Sequence, residues 1–234
     1  MATTERGAEA SSAEEATVVP PHLLAEAPGL YVAWRPEDPG AAYATLPSGL
    51  TRPEDPVVSL AQFAQTGAHT SWGRRVSITH AEVEVDHHET LDGKMRGRWW
   101  VLYVNEDPWY LAGAQMLGVP DAEAGRTELV VDGDRLTATT FRGETAIVRT
   151  TARVGPAPAG AAGGQLRYLI PGEGLPSILV PWACEAYPFE LLDVEFLDPS
   201  DPSYALRPAR PIEVAWSVYS PRFCYAFSAP TPLP

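Results

Sequence analysis

The sequence predicts a mainly β chain folded as one closed or nearly closed antiparallel barrel with a few short helices. Three observations carry this. Runs rich in aromatic and β-branched residues recur along most of the chain, separated by turn residues. The 24 prolines leave little uninterrupted length for long helices. So many strands need their edges hidden, which closure achieves. With 234 residues, 45% of them hydrophobic, there is material for a sizeable core.

Met1 to Val19 is rich in Ala, Glu, Ser and Thr, without an aromatic residue. It reads as a flexible leader, which leaves 20–234 as the barrel domain. Gly29 to Trp34 is a first strand, ended by Pro36 and the turn residues Glu37-Asp38-Pro39-Gly40. Ala41 to Leu46 forms a short helix stopped by Pro47-Ser48-Gly49-Leu50. Pro56 to Ala64 is a strand, with Ser71-Trp72-Gly73 in the loop after it. Ser77 to Val85 alternates, setting Ile78, His80, Glu82 and Glu84 on one face and Thr79, Ala81, Val83 and Val85 on the other. A connection with the hairpin signal Asp92-Gly93 leads into a strand from Arg98 to Val104.

The chain then turns at Asn105-Glu106-Asp107-Pro108, passes a small-residue helical segment ending at Gly118, breaks at Pro120 and resumes as a strand to Val131. Arg135 to Phe141 and Thr145 to Val154 suit an antiparallel meander. Gly155 to Gly164, all Pro, Ala and Gly, reads as a mobile loop. Gln165 to Ile170, Glu185 to Leu197 and Ile212 to Ser220 are strand-like.

A formal charge of −13 argues against nucleic acid or an anionic membrane as partner, since phosphate binding needs clustered cations. No signal-peptide pattern and no apolar run near the ~18 residues of a membrane span is present, so a soluble cytoplasmic protein is expected. Cys184 and Cys224 lie forty residues apart with no CxxC, which predicts free thiols rather than a thiolate zinc site. His87 and His88 adjoin a hairpin turn and point to opposite faces, so they form no metal site. No GxSxG, P-loop, GxGxxG or HExxH occurs. Lys94 stands alone against sixteen arginines, so Schiff-base chemistry has one candidate amine.

The order of signals from Leu30 to about Val154 resembles acetoacetate decarboxylase and its relatives. Tyr31-Val32-Ala33-Trp34-Arg35-Pro36-Glu37 looks like the family's early strand ending in arginine, and Leu46-Pro47-Ser48-Gly49-Leu50 like its "LP-x-x-L" turn. Tyr103 to Pro108 resembles "Y-x-D-N-E-P". Gly113-Ala114-Gln115 falls where the family has "GRE", and Gly118-Val119-Pro120-Asp121 where it has "G-F/Y-P-K". The resemblance covers about half the chain and fades after Gly164. The departures fall on the chemistry. The Schiff-base lysine position is Asp121, the motif arginine is Ala114, the motif glutamate is Gln115, and the acidic residue expected before the alternating strand falls near Ile78. Lys94 sits in a polar turn where an amine stays protonated and cannot substitute. No cofactor is implied; a homo-oligomer is.

The resemblance implies that Arg35 points into the barrel and binds a carboxylate or enolate oxygen; the alternative is a strand-end arginine paired with Glu37. Asp121 and Gln115 occupy the loop and helix positions of the family's catalytic groups, and Asp121 in an apolar pocket would act as acid or base. Trp109, Tyr110 and one of Trp99 and Trp100 would reshape the cavity for an apolar or keto-containing small molecule, although core packing gives such aromatics too. His80 and Glu82, two apart on one strand face, are an acid/base candidate. These features lead to a lysine-independent barrel enzyme of bacterial specialised metabolism, a cyclase of a polyketide-like β-keto, enol or polyene intermediate. A dehydratase or aldolase-type lyase on a keto acid, and a non-catalytic small-molecule binding protein, remain open.

Overall fold

The computed structural model describes residues 21–64, 70 and 75–231. The leader and the loop at Ser71-Trp72-Gly73 lie outside these residues. The chain runs β1 (His22–Trp34), α1 (Pro39–Ala44), β2 (Val58–Ala64), β3 (Ser77–Val85), β4 (Gly97–Asn105), α2 (Pro108–Met116), β5 (Ala122–Ala124), β6 (Arg126–Asp132), β7 (Arg135–Arg142) and β8 (Thr145–Val154). Then come β9 (Gly160–Leu169), β10 (Ser177–Ala186), β11 (Phe189–Phe196), a 3-10 turn (Pro202–Leu206) and β12 (Val214–Phe227). Among the described residues no helix is long and apolar enough to cross a membrane.

Seven strands hydrogen-bond in the order β3-β2-β1-β12-β10-β9-β4, and β3 pairs with β4 to close the ring; β5 extends β4. The wall is antiparallel except where β4 meets β9 and β5, which are parallel. The expected meander is real but lies in a second, four-stranded sheet, β11-β8-β7-β6, which packs on the outside of the barrel.

Strands β1 to β4 therefore face two cores. On β3, Ala81, Val83 and Val85 pack outward against Leu136, Ala138 and Val148 of the second sheet, while Ile78 packs inward with Trp100, Tyr103 and Tyr168. On β4 a bulge skips Val101 between the pairs Ala81↔Leu102 and Glu82↔Trp100. The extra residue resets the alternation, so that Trp100 and Tyr103 both face inward although they are three apart. Trp99 packs in the outer core, which settles the Trp99/Trp100 ambiguity.

Two expectations are corrected. Gly155 to Gly164 is not all loop: Gly160 to Gly164 opens β9, paired with Trp182 to Ala186 of β10. Small residues are needed there, because a Cβ on Gly164 would stand 3.3–3.6 Å from the Trp182 indole and one on Gly163 3.0 Å from the Trp182 carbonyl oxygen. Glu185 to Leu197 is not one strand either. It is the end of β10 and all of β11, which belong to different sheets and are broken by Pro188. β12 continues past Ser220 through Pro221, where its register with β1 shifts between Ser220 and Phe223, the irregular point that tolerates a proline.

Two caps fix the helices. Asp38 accepts from the Ala41 N–H at 3.0 Å with Pro39 at the first helical position. Asp107 accepts from the Trp109 and Tyr110 N–H groups at 2.9 and 3.0 Å ahead of α2, and Asn105 Oδ1 accepts from the Asp107 N–H at 2.9 Å. The Asn-Glu-Asp-Pro segment is thus a helix-starting device.

Candidate active site

The middle of the barrel holds a polar cluster in an aromatic shell. Glu82 on β3 is fully buried and accepts from the Tyr31 hydroxyl at 2.9 Å and the Ser59 hydroxyl at 2.5 Å. Its other oxygen contacts His80 Nδ1. The Tyr31 and Tyr168 hydroxyls lie 3.4 Å apart. His80 is stacked parallel to Tyr103, with Tyr168 and Trp100 edge-on to it at 5.6 and 6.5 Å. A carboxylate holding Nδ1–H fixes the imidazole tautomer and leaves Nε2 as the ring atom that can take or give a proton. Burial pushes the Tyr31, Tyr103 and Tyr168 phenols well above their ordinary values, so they are neutral donors.

Toward one end of the barrel lies a buried ion pair. Arg98 on β4 is 0% exposed and donates from Nη2 to Glu84 Oε1 at 3.0 Å. Glu84 is also approached by Arg96 Nη1 at 3.8 Å. Burial raises the Glu84 carboxyl above its ordinary value against the pull of both arginines. The Arg98 guanidinium carbon lies 5.9 Å from the centres of the Tyr31 and Trp216 rings, which themselves stack at 4.6 Å. Arg98 Nε and Nη1 and the Trp100 and Trp216 Nε1 atoms are buried without a hydrogen-bond partner among the described residues.

Toward the other end the described residues leave little space. Tyr31, Phe63, His80, Tyr168, Trp182 and Tyr225 are among the residues lining a space of only about 10 Å³, room for a single water. Tyr110 of α2 closes this end, with its ring 6.1 Å from Phe227.

A much larger cleft, about 470 Å³, lies outside the barrel wall between α1, the 3-10 turn and the Pro120-Asp121 loop. It abuts a gap in the wall. β4 pairs with β9 through Gly97 to Trp99 and with β5 through Tyr103 to Asn105, so Trp100 to Leu102 lack a strand partner on that edge. Trp99, Trp100 and Val101 line the cleft at this gap, and Trp100 also stacks on Tyr168 inside, at 4.3 Å. Arg142 clasps the cleft rim. It donates from Nε to Glu123 Oε2 at 2.7 Å and from Nη2 to Asp201 Oδ2 at 2.6 Å, which ties β5 to the 3-10 turn that Asp201 caps.

The sequence-derived candidates fall in three places. His80, Glu82 and Tyr110 are inside the barrel. Trp99 and Asp121 line the outer cleft, where Asp121 is exposed and has a left-handed backbone, φ 47°. Trp109 is 46% exposed, and Gln115 is exposed with its amide donating to the Ala122 carbonyl at 3.0 Å, so both lie outside the interior cluster. Arg35 stands at the strand end within 3.4 Å of Asp55 and 3.9 Å of Glu213, while Glu37, its expected partner, pairs with Arg207. Lys94 is 79% exposed in its turn. No acid stands at Ile78, where the resemblance places one; Glu82 and Glu84 are buried further along the same face. Ser59, Arg98 and Tyr168 were missed, although Arg98 and Trp100 sit opposite Glu84 and Glu82 in the β3–β4 ladder. Among the described residues no group of three or more His, Cys, Asp or Glu side chains is placed to hold a metal ion.

The architecture defines a class, the acetoacetate-decarboxylase-like β fold. A solved acetoacetate decarboxylase superposes with TM-score 0.64 at 16% identity, covering 90% of this chain and 87% of that one. The acetoacetate decarboxylase of Legionella pneumophila gives 0.61 at 16%, covering 92% and 88%. The enduracididine biosynthesis enzyme MppR complexed with pyruvate gives 0.60 at 15%, covering 92% and 90%. No protein-family model and no curated protein matches the chain. At these identities the likeness shows the fold alone.

Proposed function

We propose that the chain is an enzyme that works without an active-site lysine, acting on a β-keto, enol or polyene-type small molecule inside the barrel. The observation that carries this is the buried His80–Glu82 pair, braced by Tyr31 and Ser59 and walled by aromatic rings. Glu82 orients His80, His80 moves a proton at Nε2, and the neutral Tyr31 and Tyr168 hydroxyls polarise a carbonyl or enol oxygen. The rings select a reactive conformer, which favours cyclisation because that reaction gains most from orientation. Bacterial specialised metabolism is the setting we assign. A lyase of aldol or dehydration type is the second reading, favoured because MppR has been solved with the condensation product of pyruvate and imidazole 4-carboxaldehyde.

The test is incubation with polyketide-like β-keto intermediates and with pyruvate plus an aldehyde, following product mass. Turnover that disappears in His80→Ala supports the proposal; saturable binding with no product overturns it. Borohydride trapping with acetoacetate should yield no adduct, and a stable adduct at Lys94 would overturn the lysine-independent chemistry.

A further inference from the structure

Helix α2, Pro-Trp-Tyr-Leu-Ala-Gly-Ala-Gln-Met, has no charged side chain, on a chain whose formal charge is −13. Its two sides differ. Tyr110 and Ala114 are buried in the inner core of the barrel. With about 3.6 residues per turn, the line opposite them runs through Trp109 and Met116, with Ala112 and Gly113 on either side of it halfway along. Trp109 is 46% exposed and Met116 80%. A single exposed apolar side chain, such as Leu91 in its turn, is ordinary. Two large ones in line on an uncharged helix form a face that marks a contact surface.

A line that is large at both ends and small in the middle is complementary to a copy of itself. A two-fold axis through the point midway between residues 112 and 113 lays one helix antiparallel on the other. Trp109 then meets Met116 of the partner subunit, and the reverse contact follows by symmetry. Thioether against indole is a favourable pairing. Ala112 and Gly113 let the backbones approach at the crossing, and a Cβ on Gly113 would meet nothing within 4 Å. Charge narrows the choice of surface further. Two chains at −13 repel, so contact is least opposed where free acids are fewest. At the start of α2 the acids are engaged, Asp107 as the helix cap and Glu106 by the Ser77 hydroxyl at 2.9 Å. Two nine-residue helices crossing on one face bury less than about 1,200 Å², the range of weak association.

We propose that α2 is a self-association surface on which a second copy of this chain packs antiparallel, with Trp109 against Met116 of the partner subunit. This is independent of any reaction inside the barrel. Tyr110, which closes one end of the barrel, is then carried on a helix held from both sides.

The test is sedimentation of the full chain from about 1 μM to 1 mM, the range of weak association. The mean mass should rise with concentration from 25.3 kDa toward twice that value. Met116→Glu should weaken the dimer by about tenfold or more, because each substitution enters a two-fold interface twice. Leu91→Glu adds the same charge outside α2 and should leave it unchanged. Raising salt from about 0.05 to 0.5 M should strengthen it, since screening removes repulsion and no ion pair is lost. Ala112→Cys, beside the axis, should cross-link under oxidising conditions faster as protein concentration rises, and wild type should not. Circular dichroism establishes that each variant is folded. A wild type that stays at 25.3 kDa throughout overturns the proposal, whatever else covers the face. So does a dimer that is equally strong in folded Met116→Glu, equally weakened by Leu91→Glu, or weakened by salt.

Discussion

The barrel interior and the outer cleft divide between them what an enzyme site normally combines. The interior has the polar groups: a braced His80–Glu82 pair, a buried Arg98 with unpaired nitrogens and neutral tyrosine donors, while the space that the described residues line beside His80 holds about one water. The cleft has the room, about 470 Å³, yet Asp121 in it is exposed and ordinary solvent competes for every contact. Trp100 belongs to both, lining the cleft at the unpaired β4 edge and stacking on Tyr168 within. The lesson is that volume and reactivity are poor guides to each other. Here a single ring, Trp100, separates the polar interior from the cavity.

The comparison can be broken most sharply by paired substitutions. His80→Ala should reduce turnover by about 10²–10⁴-fold, the usual contribution of a positioned acid or base, while Asp121→Asn should change it little. The reverse order in steady-state kinetics would move the site to the cleft. Next in size, Arg98→Met strands Glu84 with only the distant Arg96, and urea unfolding should show a loss of about 3–5 kcal/mol. A smaller loss would mean that the interior is more open to water than its packing implies.

On the cleft side, Arg142→Ala releases Glu123 and Asp201 from a partly exposed clasp. The expected loss is on the order of 1–2 kcal/mol, and the wild type, unlike the variant, should lose part of that advantage in 1 M salt, where screening reaches to about 3 Å. The smallest effect concerns pH. Burial raises the Glu84 carboxyl above its ordinary value of 4.5, so the folded state favours its protonated form. That contribution is complete below the unfolded value and is lost as pH rises through the folded one. The stability of wild type minus that of Glu84→Gln should therefore fall as pH increases from about 4.5, measured by unfolding at a series of pH values. A rise over that range would mean that Arg98 and Arg96 outweigh burial.

How much of this was readable from the sequence depended on whether a segment carries a period. Ser77 to Val85 was located to the residue, because apolar and polar positions alternate there and each face has its own core. The same alternation puts Glu84 on one face with His80 and Glu82. Gly160 to Gly164 could not be read as strand, since Ala and Gly have no side-chain pattern and are chosen there to make room for Trp182. Arg98 carries no signal in the sequence that sets it apart from other strand residues, and only ring closure shows that its face is interior. The bulge at Val101 is silent in sequence, and it decides which of the two tryptophans turns inward. The family-like spacing puts Gln115 on α2 and Asp121 in the loop after it, but spacing does not report exposure.

The wall of this barrel is one residue thick, and that has a consequence for how it can be altered. On β3 the inward positions Ile78, His80, Glu82 and Glu84 and the outward positions Ala81, Val83 and Val85 are separately addressable. Exchanging an inward side chain edits reactivity while the outward set keeps the second sheet attached. An insertion of a single residue has no such restraint. It would swing His80, Glu82 and Glu84 into an apolar layer and bring aliphatic groups to the barrel interior, so this strand accepts substitution and forbids a change of length.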